Sequence, residues 1–162
     1  MRQSLKKWAV IVGCSMCVMQ ITVISAKAET LNENPVHWNK FASIEEDYVE
    51  DTATPRARGD ILNRGYVRLS NLDGKASIYG ETLCNHVIEE IGLEMYLEKY
   101  NGNSYVSYDS WNYVEYNTYE ATETFNKSVD KGFYYRLRGY HYALDDVLFE
   151  SVSTTTNGLP IN

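Results

Sequence analysis

The chain has 162 residues, of which 44% are hydrophobic and 13% aromatic, and its 22 acidic and 15 basic residues give a net charge of −7. An acidic protein of this kind is not expected to bind nucleic acid or anionic lipid, because phosphate contacts require clustered lysine and arginine. Cationic ligands, metal ions and neutral sugars remain as classes of partner.

The first 28 residues have the three parts of a secretory signal peptide. A basic start precedes the apolar run 8–24, and Ala26 and Ala28 then offer the small pair that signal peptidase requires. We therefore predict cleavage after Ala28 and a secreted, extracellular protein without a stable membrane anchor. A retained membrane anchor is one alternative, and a lipid on Cys14 is another. Both are disfavoured because the apolar run is short for a span, continues past Cys14 and leads directly to the cleavage site.

Cleavage at this point leaves a single cysteine, Cys84, and 11 basic against 22 acidic residues, a net charge of −11. One cysteine cannot form an internal disulfide, so the mature fold must be stabilised by its own core. We interpret Cys84 as a small core residue, because nothing in the sequence places a histidine base beside it.

Residues 29–58 are rich in acidic side chains and poor in patterned apolar ones, which predicts a flexible acidic leader or propeptide. Arg56 and Arg58 at its end offer a trimming point for a trypsin-like protease. Arg58-Gly59-Asp60 also spells an integrin-type tripeptide, which we treat as coincidence. The predicted working unit is therefore residues 59–162.

Residues 59–162 show the two-residue alternation of β-strands, most clearly over 91–98, where apolar and polar side chains alternate. Turn signals separate about seven such strands, a pattern typical of a β-sandwich. The strongest of these signals are Asp73-Gly74, Asn101-Gly102 and Asp145-Asp146. We predict an all-β fold: an antiparallel β-sandwich with an immunoglobulin-like arrangement of strands.

One motif bears on the immunoglobulin-like arrangement. Asp130-x-Gly132-x-Tyr134 resembles the tyrosine corner of immunoglobulin-type domains. The alternation opposes this reading, because Tyr135 belongs to the apolar side of the strand and Tyr134 to the polar side.

A longer string within the β region indicates a family. Gly132-Phe133-Tyr134-Tyr135-Arg136-Leu137-Arg138-Gly139-x-His141 resembles a family of small secreted proteins from Gram-positive bacteria, classed as a domain of unknown function. The resemblance covers roughly residues 58–158. It implies an exported single β domain and supplies no reaction, ligand or functional residue.

Catalytic and metal-binding patterns are absent from the sequence. The three histidines that follow residue 28 lack the spacing of zinc ligands, and no nucleophile elbow or phosphate-binding loop occurs. His141 is interpreted as a polar residue at a strand end. Asp145, Asp146 and Glu150 could bind calcium weakly, but a solvated turn is the favoured interpretation. We therefore predict a protein that is not an enzyme and has no metal or cofactor.

The aromatic residues are the remaining candidates for a binding site. Flat rings beside amide and carboxylate groups can stack on sugars, and such surfaces also serve protein recognition. The alternative is that tyrosine simply suits half-buried strand positions. The predicted ligand-binding residues are Tyr105, Tyr108, Trp111, Tyr113, Tyr134, Arg136 and Arg138.

The sequence thus favours a secreted, non-enzymatic binding module that acts on glycans or surface proteins outside a Gram-positive cell. A secreted toxin or bacteriocin-like effector, with residues 29–58 as a removable leader, is the alternative. A hydrolase of unknown type is third.

Overall fold

The computed structural model describes residues 41–43, 45–56 and 59–162. The predicted signal peptide, its cleavage site at Ala28 and the start of the predicted leader lie outside these residues. All regular structure in the described part is β-strand, which confirms the all-β class. Nothing in that part is a helix long and apolar enough to cross a membrane. The strands are β1 (Tyr48–Ala53), β2 (Leu62–Leu72), β3 (Lys75–Tyr100), β4 (Tyr105–Ser128), β5 (Phe133–Asp145), β6 (Leu148–Thr155) and β7 (Leu159–Ile161).

Strand β1 lies inside the segment predicted to be a flexible leader. It pairs antiparallel with β2, from Tyr48 opposite Ser70 to Ala53 opposite Gly65. The structure therefore includes Tyr48–Ala53 in the sheet, so the described fold extends to residues before 59. The sequence concealed this strand because an edge strand keeps charged side chains towards solvent, and here only Val49 is buried.

The seven strands form one antiparallel sheet in the order β1-β2-β3-β5-β6, with β4 on the other edge of β3 and β7 beside β5. Strand β3 has 26 residues: β2 pairs with its beginning, β5 pairs with its end, and β4 follows it along both parts. A shift of register between Leu83 and Ile88 interrupts the β3–β4 ladder, and Asn117 of β4 nearby has a φ of 54°. Such irregularities bend a strand pair.

This bend divides the sheet into two halves that face each other. The first half contains β1, β2 and the adjoining parts of β3 and β4, and the second contains β5, β6 and the remaining parts. Because β3 and β4 run through both halves, the strands belong to one folded-over sheet. An immunoglobulin-like sandwich of two separate sheets is not confirmed.

The core lies between the two halves. Its main cluster joins Val67 and Leu69 of β2 to Leu137 of β5. The alternation predicted for 91–98 is confirmed, since the four apolar members are fully buried. These are Ile91, Leu93, Met95 and Leu97.

Tyr135, and not Tyr134, makes a contact of the tyrosine-corner type. The Tyr135 side chain is fully buried, and its hydroxyl donates a hydrogen bond of 2.9 Å to the backbone oxygen of Asp130. Its ring also meets Tyr108 of β4 edge-on at 5.3 Å. The alternation of the strand was therefore a better guide than the motif.

Candidate functional site

Three of the predicted ligand-binding aromatics lie on the inner face of β4. Trp111 is opposite Met95 and Tyr113 is opposite Leu93, and directly opposed residues of antiparallel strands share a face. Together with Tyr108 these rings pack against the main core cluster. The structure therefore uses Tyr108, Trp111 and Tyr113 largely for packing.

The same rings join the two halves of the bent strand β4. Trp111 meets Phe125 edge-on with the ring centres 4.6 Å apart, and Asp109 forms an ion pair with Lys127. These partners come from opposite sides of the bend at Asn117. These side chains connect the two halves of β4 along this edge of the core.

A second group of predicted residues lies on the outer face of the second half, beneath Phe41. The ring of Phe41 lies 4.6 Å from that of Tyr134, 5.0 Å from Tyr100 and 6.3 Å from Tyr105. The Arg136 guanidinium stacks on the Tyr105 ring at 4.2 Å. Tyr105, Tyr134 and Arg136, three of the predicted ligand-binding residues, are thus brought together, but Phe41 covers them.

A buried ion pair anchors this group. The Glu98 carboxylate accepts hydrogen bonds from Arg136 at 2.5 Å and from Arg138 at 3.0 Å. Glu98 and Arg136 are both buried, whereas the Arg138 side chain remains 44% exposed. The Tyr105 hydroxyl is buried and has no hydrogen-bond partner among the described residues, and burial raises the pKa of Tyr105 to about 12. Of this group, Arg138 is the most accessible to a ligand.

A further aromatic surface lies beside Arg138, on the same outer face. Glu94 is opposite Tyr140 and Tyr96 is opposite Arg138, so these side chains point away from the buried Leu93 and Met95. We call this surface the outer tyrosine face. Its members are Glu90, Glu94, Tyr96, Tyr116, Arg138, Tyr140, Tyr142 and Phe149.

The outer tyrosine face alternates rings with carboxylates. Tyr142 donates to Glu90 at 2.9 Å, and the Tyr96 hydroxyl donates to Glu94. Burial, reinforced by the bond to Glu90, raises the pKa of Tyr142 to about 12, and the bond to Glu94 raises the pKa of Tyr96. Both hydroxyls therefore stay neutral and hold the carboxylates in place at physiological pH.

Glycine allows one of these rings to lie flat on the sheet. A Cβ atom at Gly92 would collide with the Tyr142 ring, so that ring lies over the Gly92 backbone. Phe149 stacks on Tyr142 at 5.8 Å, and the Tyr140 ring centre is 6.2 Å away. The sequence prediction did not include Tyr96 or Tyr142. These residues alternate with buried residues along β3 and β5, and this alternation was the signal that could have identified them.

His141 lies on the opposite, inner face of β5 and is completely buried, so it is not the strand-end residue that was predicted. Its Nδ1 is 3.0 Å from the Thr82 hydroxyl and its Nε2 is 2.9 Å from the Thr154 hydroxyl. Because Thr82 donates its only proton to the Gly92 oxygen, it accepts from Nδ1–H, and Thr154 then donates to Nε2. Burial lowers the pKa of His141 to about 4. This neutral, enclosed histidine is a structural residue.

The residues considered for calcium binding are used in other ways. Glu150 accepts the backbone N–H groups of Asp60 and Leu62 at 2.7 Å and of Ile61 at 3.3 Å. This carboxylate therefore fastens the chain before β2 to β6. Within the described part of the chain, no group of three histidine, cysteine or acidic side chains is arranged to hold a metal ion.

Comparison with known proteins places the chain in a family. The model of a family of unknown function, DUF6147, matches residues 25–159, and the chain therefore belongs to this family. The match includes β1 as well as the strands that follow it. No curated protein and no solved structure matches the chain.

Proposed function

We propose that this DUF6147 protein is a secreted, non-enzymatic binding module that holds neutral glycans on its outer tyrosine face, outside a Gram-positive cell. Residues 1–28 support export, because they combine a basic start, an apolar run and a small-residue cleavage site. A mature chain with Cys84 as its only cysteine fits a host that exports proteins without disulfides.

The observation that carries the proposal is the alternation of exposed rings and oriented carboxylates. Tyr116 and Phe149 are 63% and 53% exposed, and Tyr140 and Tyr142 lie between them. Such rings can stack on the C–H faces of sugars. Glu90 and Glu94 each use one oxygen for a tyrosine hydroxyl, which leaves the other oxygen to accept from a sugar hydroxyl.

The charge of this face favours neutral over acidic sugars. Glu90 and Glu94 lie at its centre, while Arg138 at one end is already paired with Glu98. A polyanionic glycan would meet unfavourable electrostatics there. The face is part of a sheet surface, which suits the side of a polysaccharide chain.

The non-enzymatic character is supported by the use of the candidate acid–base groups. His141 is enclosed between two threonines, and Glu150 is occupied by backbone N–H groups. A toxin with residues 29–58 as a removable leader has weaker support, because β1 within that segment is a strand of the sheet.

A glycan array tests the proposal, using protein produced from Glu29 together with the variant Tyr140→Ala. We expect binding to a neutral wall or host glycan and about a tenfold loss of affinity in the variant, the effect of losing one stacking ring. Tyr79→Ala is the matched control, because Tyr79 is also half-buried but lies on the outer face of the first half. The glycan proposal fails if no glycan is retained, or if Tyr79→Ala weakens binding as much as Tyr140→Ala. Retention of a surface protein by the same face would indicate protein recognition instead.

Export is tested separately by mass spectrometry of the protein from culture medium. An N-terminus at Glu29 is expected. Protein that starts at Met1, or that carries a lipid on Cys14, would contradict free release.

A further inference from the structure

The first part of the chain that the structure describes is a strand-bearing arm that binds at two separated points. We call residues 41–53 the N-terminal arm. At one point Phe41 packs on the tyrosines described above, and the Ala42 N–H donates to the Gly158 oxygen at 2.7 Å. At the other, β1 adds to the edge of β2, and Asp51 accepts the Thr155 N–H at 2.6 Å.

The rest of the sheet has its own core. Of the 13 buried residues in the main cluster, only Ala42 and Val49 belong to the N-terminal arm, and the second cluster contains none. The arm is also the last strand on its side of the sheet. Its departure would therefore leave the core largely intact and expose the backbone edge of β2, which is a template for another strand.

The hinge is the connection from the arm to the sheet, which the structure describes except at residues 57 and 58. Eight residues, 54–61, separate β1 from β2, and Glu150 fixes the end of this connection by binding the N–H groups of Asp60 and Ile61. The six residues 54–59 that precede this anchor span about 20 Å when extended. The arm can therefore leave its own sheet while the chain beyond the hinge keeps its place.

We propose that the N-terminal arm exchanges between copies: the arm of one copy adds to β2 of a second, and the arm of the second returns to the first. The partner is a second copy of this chain because every contact of the bound arm is then reproduced, from the Phe41 ring to the six β1–β2 pairs. Strand addition to a sheet edge is a general mode of recognition. This inference does not depend on glycan binding.

The balance between the closed monomer and the exchanged dimer depends on the hinge. Because the arm makes the same contacts in both, their strength cancels, and the linker sets an effective concentration on the order of millimolar. Exchanged dimers should therefore be rare in dilute solution and common near millimolar concentration.

Mixed cysteine variants detect exchange directly. Glu50 and Arg68 are directly opposed in the β1–β2 ladder, so Glu50→Cys and Arg68→Cys are placed in separate chains, each produced from Glu29 and carrying Cys84→Ser. The two are incubated together at about 1 mM, a concentration near the effective one, then diluted and oxidised. Neither chain can form the bond within itself, so a covalent heterodimer reports an arm bound to another copy.

The control replaces Arg68→Cys with Thr124→Cys, an exposed strand position on β4 that the arm does not contact. We expect at least tenfold more heterodimer from the opposed pair than from the control. A second opposed pair, Thr52→Cys with Tyr66→Cys, must give the same result. Equal yields from opposed and control pairs would overturn the proposal.

Discussion

The aromatic residues of β4 and those of the outer tyrosine face have similar compositions but opposite roles. Tyr108, Trp111 and Tyr113 are close together in the sequence and pack against the core. Tyr140 and Tyr142 are fewer, alternate with buried residues, and face solvent. The difference shows that the density of aromatics along a chain identifies a binding surface less well than their phase relative to the buried residues.

The bend in β4 explains why its aromatics are needed inside. The two halves of the strand meet through Trp111 and Phe125, a contact between residues that are 14 positions apart on one strand. The outer tyrosine face has no such gap to fill. We expect that its rings can be removed without opening the core, whereas Tyr108, Trp111 and Tyr113 cannot.

The largest expected effect comes from the buried ion pair below the covered aromatics. Glu98→Gln removes the negative charge that Arg136 and Arg138 share. Because breaking a buried ion pair leaves an uncompensated charge, we expect a loss of about 4 kcal/mol in the free energy of unfolding. Denaturant titration measures it, and Glu94→Gln on the solvent-facing side is the control. Equal, small losses in both variants would show that the Glu98 site is not effectively buried.

The next prediction compares the two aromatic sets directly. Trp111→Ala should cost about 3 kcal/mol of stability, because it opens a cavity at the junction of the two β4 halves. Tyr140→Ala should cost about 1 kcal/mol or less, because its ring is not part of either core cluster. Chemical denaturation of both variants provides the measurement. A larger loss for Tyr140→Ala would reverse the assignment of roles.

The sequence predicted those features of the fold that depend only on residues close together in the chain, such as strand alternation and turns. The alternation of 91–98 identified the buried side of β3, and the Asp73-Gly74 turn is present with φ values of 51° and 75°. The sequence did not reveal β1, because its pairing with β2 is a tertiary contact. It also did not reveal that β3 and β4 pass through both halves, since that depends on one register shift and one residue, Asn117.

Of the seven predicted ligand-binding residues, only Arg138 belongs to the outer tyrosine face. The sequence indicated tyrosines and arginines, and the structure brings Tyr105, Tyr134 and Arg136 together. It could not indicate that Phe41 covers them, because Phe41 is far away along the chain. The burial of His141 was missed for the same reason: the threonines that satisfy its ring come from β3 and β6.

His141 lies on the inner face of the strand that carries Tyr140 and Tyr142, and it makes the free energy of unfolding depend on pH. Its pKa is about 4 in the fold and 6.5 in the unfolded chain, so the unfolded state binds more protons as pH falls through this window. Stability should therefore be fully present above pH 6.5 and fall by about 2 kcal/mol between pH 7 and pH 5. Burial raises the pKa of Asp51, which acts in the opposite direction. Urea titrations at several pH values measure the slope.

The exposed His86 supplies the control for this pH dependence, since His86→Asn removes a histidine without touching the buried network. The slope should persist in His86→Asn and flatten in His141→Gln. Loss of the slope in His86→Asn would assign the effect to the surface histidine instead.

The smallest predicted effect concerns the hairpin that ends the outer tyrosine face. Asp145 pairs with Leu148, which leaves a two-residue turn, and Asp146 in that turn has a φ of 53°. Because glycine adopts this conformation without a Cβ penalty, Asp146→Gly should raise stability by about 0.5 kcal/mol, while Asp145→Gly should lower it. Thermal denaturation of the two variants distinguishes these signs. Glycan affinity should be unchanged in Asp146→Gly, because the rings of Tyr140 and Tyr142 stay in place, and a loss of binding would extend the functional surface to the hairpin tip.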